Sequence, residues 1–133
     1  MDEQKNVQVV QNAYGAFGRG DVDAVLGYLA ENIDWQSFGP EELPTAARRQ
    51  GKAEVGRFFK QVAEAWNFER FEPRQFVAQG EMVIALGSYA GTSKSTGRKF
   101  ASEWTHAYTF RDGKATTFRE YTDTANLISA ARK

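Results

Sequence analysis

The sequence predicts an α+β fold, in which a cone-shaped, curved antiparallel (mixed) β-sheet is wrapped by three N-terminal helices around an internal pocket, with a short C-terminal helix. Two observations point to this fold. Apolar residues recur mainly at helical spacing in the first half of the chain and at a spacing of two in the second half. Aromatic residues make up 14% of the chain. Most of these rings are expected in the core, and some can line an apolar cavity.

Three helices are predicted in the first half, the third over residues 52–66. Residues 18–20 contain two glycines and end the first helix, and Asp21 can cap the second. Each helix has an apolar stripe that can face the core. The stripes are, in chain order, Val7, Val10, Tyr14 and Phe17; Val22, Val25, Leu26 and Leu29; and Val55, Phe58, Phe59, Val62 and Trp66.

Strands are predicted wherever apolar and polar residues alternate. The run 82–90 is apolar on both faces, which predicts a central strand covered on both sides. Residues 39–50 contain two prolines and are expected to form a loop, one that can cover the cavity mouth. Asp123 is expected to cap a short final helix that carries Leu127 and Ile128. The predicted strands are 33–38, 74–79, 82–92, 98–111 and 115–122.

Strand parity predicts which side chains face the cavity. On strand 98–111 the aromatic side should face the cavity. On the last strand Phe118 should face the cavity too. A β-bulge that buried Tyr121 would instead reverse the two faces of this last strand. The inward set is Phe100, Trp104, His106, Tyr108, Phe110, Phe118, Glu120 and Thr122. The outward set is Glu103, Thr105, Ala107, Thr109, Arg119 and Tyr121.

The order of several short motifs resembles the NTF2-like superfamily, specifically its SnoaL-like and ketosteroid isomerase-related members. The motifs are Tyr14–Asp21, Ile33–Phe38, Gly51–Lys52, His106–Lys114 and Phe118–Thr124. Together they span nearly the whole chain, which is expected to be a single domain, 1–133. The resemblance implies the same cone-shaped fold and is not specific for one reaction.

The match to ketosteroid isomerase fails at its catalytic positions. The isomerase's catalytic aspartate falls at Ser37, its oxyanion tyrosine at Ala13, one place before Tyr14, and its protonated aspartate at His106. A serine cannot serve as that proton shuttle unaided, so this mechanism is disfavoured.

The SnoaL-like cyclases match better, because their last-strand carboxylate, a general acid/base, corresponds to Glu120. Glu120 is therefore expected to act as general acid/base, or else to pair with Arg119 or another surface cation, or to form a buried structural ion pair. His106 is expected to orient Glu120 or polarise a substrate oxygen, or to be a satisfied core histidine. Tyr14 either donates a hydrogen bond into the pocket or packs in the core. The residues expected to contact a substrate are Tyr14, Phe17, Trp35, Ser37, Phe58, Phe59, Trp66, Trp104, Tyr108 and Phe118.

The composition limits which binding partners and cofactors can be expected for this protein. Lys plus Arg and Asp plus Glu are both 17, with no basic block, so nucleic acid is not expected. The chain has no cysteine and one histidine, so no metal is expected. Acid/base chemistry by side chains requires no cofactor, and none is expected. No apolar segment approaches the length of a membrane span or a signal sequence, and a cytoplasmic protein is expected. The outer sheet face, with Val83, Ala85 and Tyr89 assigned near it, predicts a homodimer.

The sequence is compatible with three classes of function. The first is a cofactor-free acid/base enzyme that isomerises, cyclises or hydrates a small hydrophobic carbonyl compound. The second is a binding module that uses the same pocket without chemistry. The third is a protein-interaction adaptor, for which a filled interior would be the mark.

Overall fold

The computed structural model describes residues 2–133, which form four helices around one face of a six-stranded sheet. No helix in this part of the chain is both long and apolar enough to cross a membrane. The helices are α1 (Glu3–Gly18), α2 (Val22–Gly27), α3 (Gly51–Ala65) and α4 (Thr124–Ala131). The strands are β1 (Leu29–Ser37), β2 (Ala47–Gln50), β3 (Trp66–Gln79), β4 (Met82–Ser93), β5 (Lys99–Arg111) and β6 (Lys114–Thr122).

Aspartates begin three of the four helices. The side chain of Asp21 accepts a hydrogen bond from the backbone N–H of Ala24, and that of Asp123 accepts one from Asn126, both at 3.1 Å. Asp2 caps α1 in the same way. Each cap satisfies an N–H that the helix itself leaves without a partner. The predicted capping roles of Asp21 and Asp123 are confirmed.

The sheet is mixed, with the strand order β2-β1-β6-β5-β4-β3. The last four strands form the antiparallel meander that the alternating pattern predicts. The first strand pairs in parallel with the last one, which places Ser37 beside Glu120. Glu120 is in turn the cross-strand partner of His106. These three residues therefore form one row across β1, β6 and β5.

Several predicted boundaries are wrong for physical reasons. Leu29 opens β1 instead of closing the second helix, because α2 ends at Gly27. The loop expected at 39–50 ends in β2, whose residues Ala47–Gln50 pair with β1. The strand predicted to begin at residue 74 begins at Trp66. It is an edge strand interrupted by two register shifts and by Pro73, which blurs the spacing of two.

The outer face of the sheet differs from the prediction. Val83, Ala85 and Tyr89 are buried on the concave face, since Val83 pairs with Tyr108 and Ala85 with His106. Strand β4 is internal to the sheet, as expected, but it is covered on the concave side only. Its outward side chains, among them Ile84 and Leu86, stay half-buried in the single chain.

Candidate functional site

A cavity of about 100 Å³ lies between the concave face of the sheet and the helices. Its walls are mainly aromatic and aliphatic, and its polar side chains come chiefly from β1, β5 and β6. The residues from 39–50 that contribute are Leu43, Thr45 and Ala46, so this segment covers part of the cavity. The aromatic wall consists of Tyr14, Phe17, Trp35, Phe38, Phe58, Phe59, Trp66, Phe68, Phe71, Tyr89, Tyr108 and Phe118.

Glu120 lines this cavity from β6, with 17% of its side chain exposed. Its Oε2 atom lies 2.8 Å from Nε2 of His106, which is cross-strand from it on β5. Within residues 2–133 the other carboxylate oxygen, Oε1, has no hydrogen-bond partner. The ion pair with Arg119 considered from the sequence does not form, because that guanidinium binds Asp34 at 3.0 Å. One oxygen of Glu120 is therefore held and the other is free to act.

His106 joins Glu120 to two tyrosines. Nδ1 of the imidazole lies 2.8 Å from the Tyr14 hydroxyl, and the Tyr108 hydroxyl donates to Tyr14 Oη at 2.9 Å. If Tyr108 donates to Tyr14, the Tyr14 hydrogen is directed to Nδ1, and Nε2–H donates to Glu120. This assignment gives each of the three hydrogen bonds one donor and one acceptor. The ring also stacks on Trp104, with centroids 4.0 Å apart and planes 17° apart.

Burial changes the acidity of the tyrosines around His106 and Glu120. Desolvation, followed by the neighbouring Tyr108 phenol, raises the pKa of Tyr14 well above its usual value. Desolvation is also the main cause of the raised pKa of Tyr108 and of Tyr89. Each phenol therefore stays protonated at neutral pH and can donate a hydrogen bond.

Tyr89 is a site residue that the sequence reasoning missed. Its hydroxyl donates to Thr122 Oγ1 at 2.7 Å and lies 3.4 Å from Glu120 Oε2. The prediction that Tyr89 lies near the outer face is wrong. The cross-strand pairing of Ala85 with His106 shows that odd-numbered positions of β4 face inward, and only knowledge of that register could have revealed it.

The structure brings almost all of the predicted site residues to the cavity. Trp104 is the exception: it is buried against His106 and forms no part of the cavity wall. Phe38, which was not among the predicted site residues, contributes to the wall while stacking on Tyr121, with ring centroids 4.9 Å apart. The predicted residues that line the cavity are Tyr14, Phe17, Trp35, Ser37, Phe58, Phe59, Trp66, His106, Tyr108, Phe118 and Glu120.

Two residues of the cavity wall carry buried polar atoms that lack partners. Ser37 Oγ and Trp35 Nε1 are both buried, and neither has a hydrogen-bond partner within residues 2–133. A buried polar group without a partner costs free energy. A group that reached either atom would supply its missing hydrogen-bond partner.

No group of three or more potential metal-ligating side chains occurs within residues 2–133. Two arginines of β2 form structural contacts. Arg48 forms two hydrogen bonds to the Asp34 carboxylate, and Arg49 donates to Gln61 while lying over the ring of Phe58.

Comparison with known proteins gives a consistent picture. A family model described as a SnoaL-like domain matches residues 10–118. An NTF2-like protein from Burkholderia xenovorans LB400 is 39% identical, with 99% of each chain covered and a TM-score of 0.90. An NTF2-like protein of unknown function from Burkholderia pseudomallei K96243 is 29% identical over 100% of both chains, with a TM-score of 0.88.

A third similar structure carries a ligand. TerC, co-crystallised with polyporic acid, is 25% identical over 97% of this chain and 99% of its own, with a TM-score of 0.86. No curated protein matches the chain significantly.

Proposed function

This chain belongs to the SnoaL-like domain family, and from that premise we propose that it is a cofactor-independent acid/base enzyme acting on a small, mostly apolar, carbonyl-bearing molecule. The observation that carries the proposal is the state of Glu120. One of its oxygens is held by His106, and the other is unpartnered beside an aromatic cavity. The TerC structure with polyporic acid supports an organic ligand for this kind of pocket.

The proposed reaction begins with removal of a proton from the carbon next to the substrate carbonyl. Glu120 Oε1 takes the proton, the C–H electron pair forms the enolate double bond, and the carbonyl oxygen becomes negative. The neutral carboxylic acid then returns the proton to another carbon in an isomerisation, or to the new alkoxide after an aldol-type closure. Hydration of a conjugated double bond would use the same carboxylate to activate water.

His106 and Tyr14 position the base in this mechanism. The imidazole N–H fixes Oε2, so the free oxygen keeps one direction toward the cavity. The Tyr14 hydroxyl fixes the imidazole tautomer through Nδ1. A base held in one geometry avoids reorganisation during the reaction.

The test measures exchange of the α-protons of phenylacetone in D₂O by NMR, with and without the protein. We expect the protein to accelerate exchange and Glu120→Gln to reduce that acceleration by about 100-fold or more, as general-base removal commonly does. Glu103→Gln is the matched control, because Glu103 is exposed on the outer face of the same sheet. Equal exchange by wild type and Glu120→Gln would remove the proposal.

A binding module is the second candidate, and one observation favours it. Both His106 nitrogens and Glu120 Oε2 already have partners within the chain, as in a purely structural network. Tight ligand binding with no exchange would select this alternative. A protein-interaction adaptor is disfavoured by the open cavity.

We also propose that the protein forms a homodimer through the outer sheet face. Val77 and Met82 are exposed there, next to the half-buried side chains of Ile84 and Leu86. A second copy would cover this apolar strip. Light scattering at micromolar concentration should give twice the chain mass, and Ile84→Glu should give the monomer. A wild-type monomer would refute the dimer.

A further inference from the structure

We infer that Ser37 Oγ–H and Trp35 Nε1–H on β1 form the donor site for the substrate's carbonyl oxygen, and that the substrate is a one-ring aromatic ketone or aldehyde. This inference rests on the proposed function and adds to it the residues that bind the reacting oxygen. In the ketosteroid isomerase pattern the base stands on the early strand. Here that position is Ser37, and the arrangement is reversed.

The first support is the unused capacity of these two donors. Ser37 and Trp35 are 5% and 4% exposed, and neither polar hydrogen has an acceptor within residues 2–133. They occupy alternate positions of β1, so both side chains lie on the concave face. Both residues line the cavity. A carbonyl oxygen has two lone pairs and can satisfy both donors.

The second support is the position of Ser37 relative to the base. Ser37 is the cross-strand neighbour of Glu120, and the backbone N–H of Phe38 donates to the Glu120 carbonyl at 3.3 Å. A ligand that contacts Ser37 therefore lies next to the position of Glu120 in the sheet. The donors that would stabilise a developing oxyanion and the base that would create it lie side by side.

The other hydroxyl donors near Glu120 are already committed. Tyr108 donates to Tyr14, Tyr14 is bonded to His106, and Tyr89 donates to Thr122. Using any of them for the substrate would break an existing bond. Ser37 and Trp35 lose nothing when a ligand arrives, which makes them the favourable donors.

The cavity limits the size of the ligand. An engineered apolar cavity of roughly 150 Å³ accepts benzene, and this cavity, which Leu43 helps to line, is smaller at about 100 Å³. Trp35 is stacked on Phe118, with ring centroids 3.8 Å apart, which fixes the direction of its N–H. The proposed ligand is therefore no larger than one aromatic ring bearing a carbonyl group, and its entry requires the cavity walls to move apart.

The experiment uses phenylacetone labelled with ¹³C at the carbonyl. Its infrared carbonyl stretch and its dissociation constant are measured with the wild-type protein and with Ser37→Ala and Trp35→Phe. Wild type should shift the stretch below its value in hexane. Each variant should lose part of the shift and bind roughly threefold to tenfold more weakly, as expected for one neutral hydrogen bond.

Two matched controls separate this site from general effects of buried donors. Ser88 Oγ and Trp104 Nε1 are also buried and unpartnered within residues 2–133, but neither lines the cavity. Ser88→Ala and Trp104→Phe should leave the carbonyl stretch unchanged. Ser37→Ala should also unfold at a temperature equal to or above that of wild type, because it removes an unsatisfied group.

The outcomes are distinct from those of the proposed function. Glu120→Gln should abolish proton exchange and keep the carbonyl shift. An unchanged stretch in both Ser37→Ala and Trp35→Phe, a shift lost instead in Tyr14→Phe, or no binding of phenylacetone would each overturn the inference. A lower melting temperature for Ser37→Ala would show that the hydroxyl is structural and would also overturn it.

Discussion

His106 and Glu120 are cross-strand partners whose side chains meet at 2.8 Å on the concave face of the sheet. The imidazole is 6% exposed, so both groups are largely removed from water. The pair depends on the register between β5 and β6, which makes it a property of the sheet and not of a flexible loop. Four predictions follow from this arrangement and from the sheet that supports it.

Replacing the imidazole should destabilise the protein through its partners. His106→Phe keeps an aromatic ring against Trp104 but leaves Glu120 and Tyr14 without their bonds. We expect a loss of about 1–3 kcal/mol in the free energy of unfolding, which is the usual cost of leaving a buried polar group without a hydrogen-bond partner. Urea denaturation measures it. Tyr14→Phe should lower the free energy of unfolding less in the His106→Phe background than in wild type. Fully additive losses would show that His106 and Tyr14 are not energetically coupled.

Alkaline pH should unfold the protein before its buried phenols ionise. The raised pKa values of Tyr14, Tyr89 and Tyr108 mean that these groups release their protons more readily in the unfolded chain. Their contribution to stability is complete below the ordinary tyrosine value of about 10 and is lost as the pH rises above it. Phenolate absorbance at 295 nm should therefore rise together with loss of the circular dichroism signal. Ionisation of all five tyrosines with the fold intact would contradict this.

Acid should weaken the attachment of β1 to β2 and β6. Hydrogen bonding to Arg48, with further help from Arg119, lowers the pKa of Asp34. Its stabilising contribution is therefore complete above the ordinary aspartate value of about 4 and disappears as the pH falls through the lower folded value. Asp34→Asn should reduce stability at pH 7, and the difference from wild type should vanish in acid. Glu41→Gln, an exposed carboxyl change in a loop, is the control and should show no comparable pH-dependent difference.

Gly91 should not tolerate a side chain. A Cβ atom there would lie 2.0 Å from the carbonyl oxygen of Asn67, a backbone atom that can move only with β3. Overpacking of this kind costs about 1–3 kcal/mol or more. Gly91→Ala should therefore lower the melting temperature clearly. Gly27→Ala, where a Cβ meets nothing within 4 Å, should be neutral or slightly stabilising; equal effects would show that β3 adjusts freely.

Much of the architecture could be predicted because its signals are local. The alternation along β5 placed His106 on the concave side, and the pattern from Phe118 to Thr122 placed Glu120 with it. Both assignments rest on the spacing of two in a strand with one buried face. The capping aspartates are equally local signals.

The remaining features depend on pairing between distant segments. Tyr89 was misplaced because β4 is apolar on both faces, so its sequence does not indicate which side is inward. The start of β3 was missed because its charged residues and Pro73 suit an exposed edge strand. The close approach of Ser37 to Glu120 requires the parallel pairing of β1 with β6, which neither strand shows alone.

That parallel pairing also sets the order in which the molecule can assemble. Strand β1 is made early, yet its neighbour on one side is the last strand of the chain. Long-range pairing of this kind slows folding, because a large loop must close before the contacts form. The row formed by Ser37, Glu120 and His106 is therefore complete only after β6, which ends at Thr122, has paired with β1.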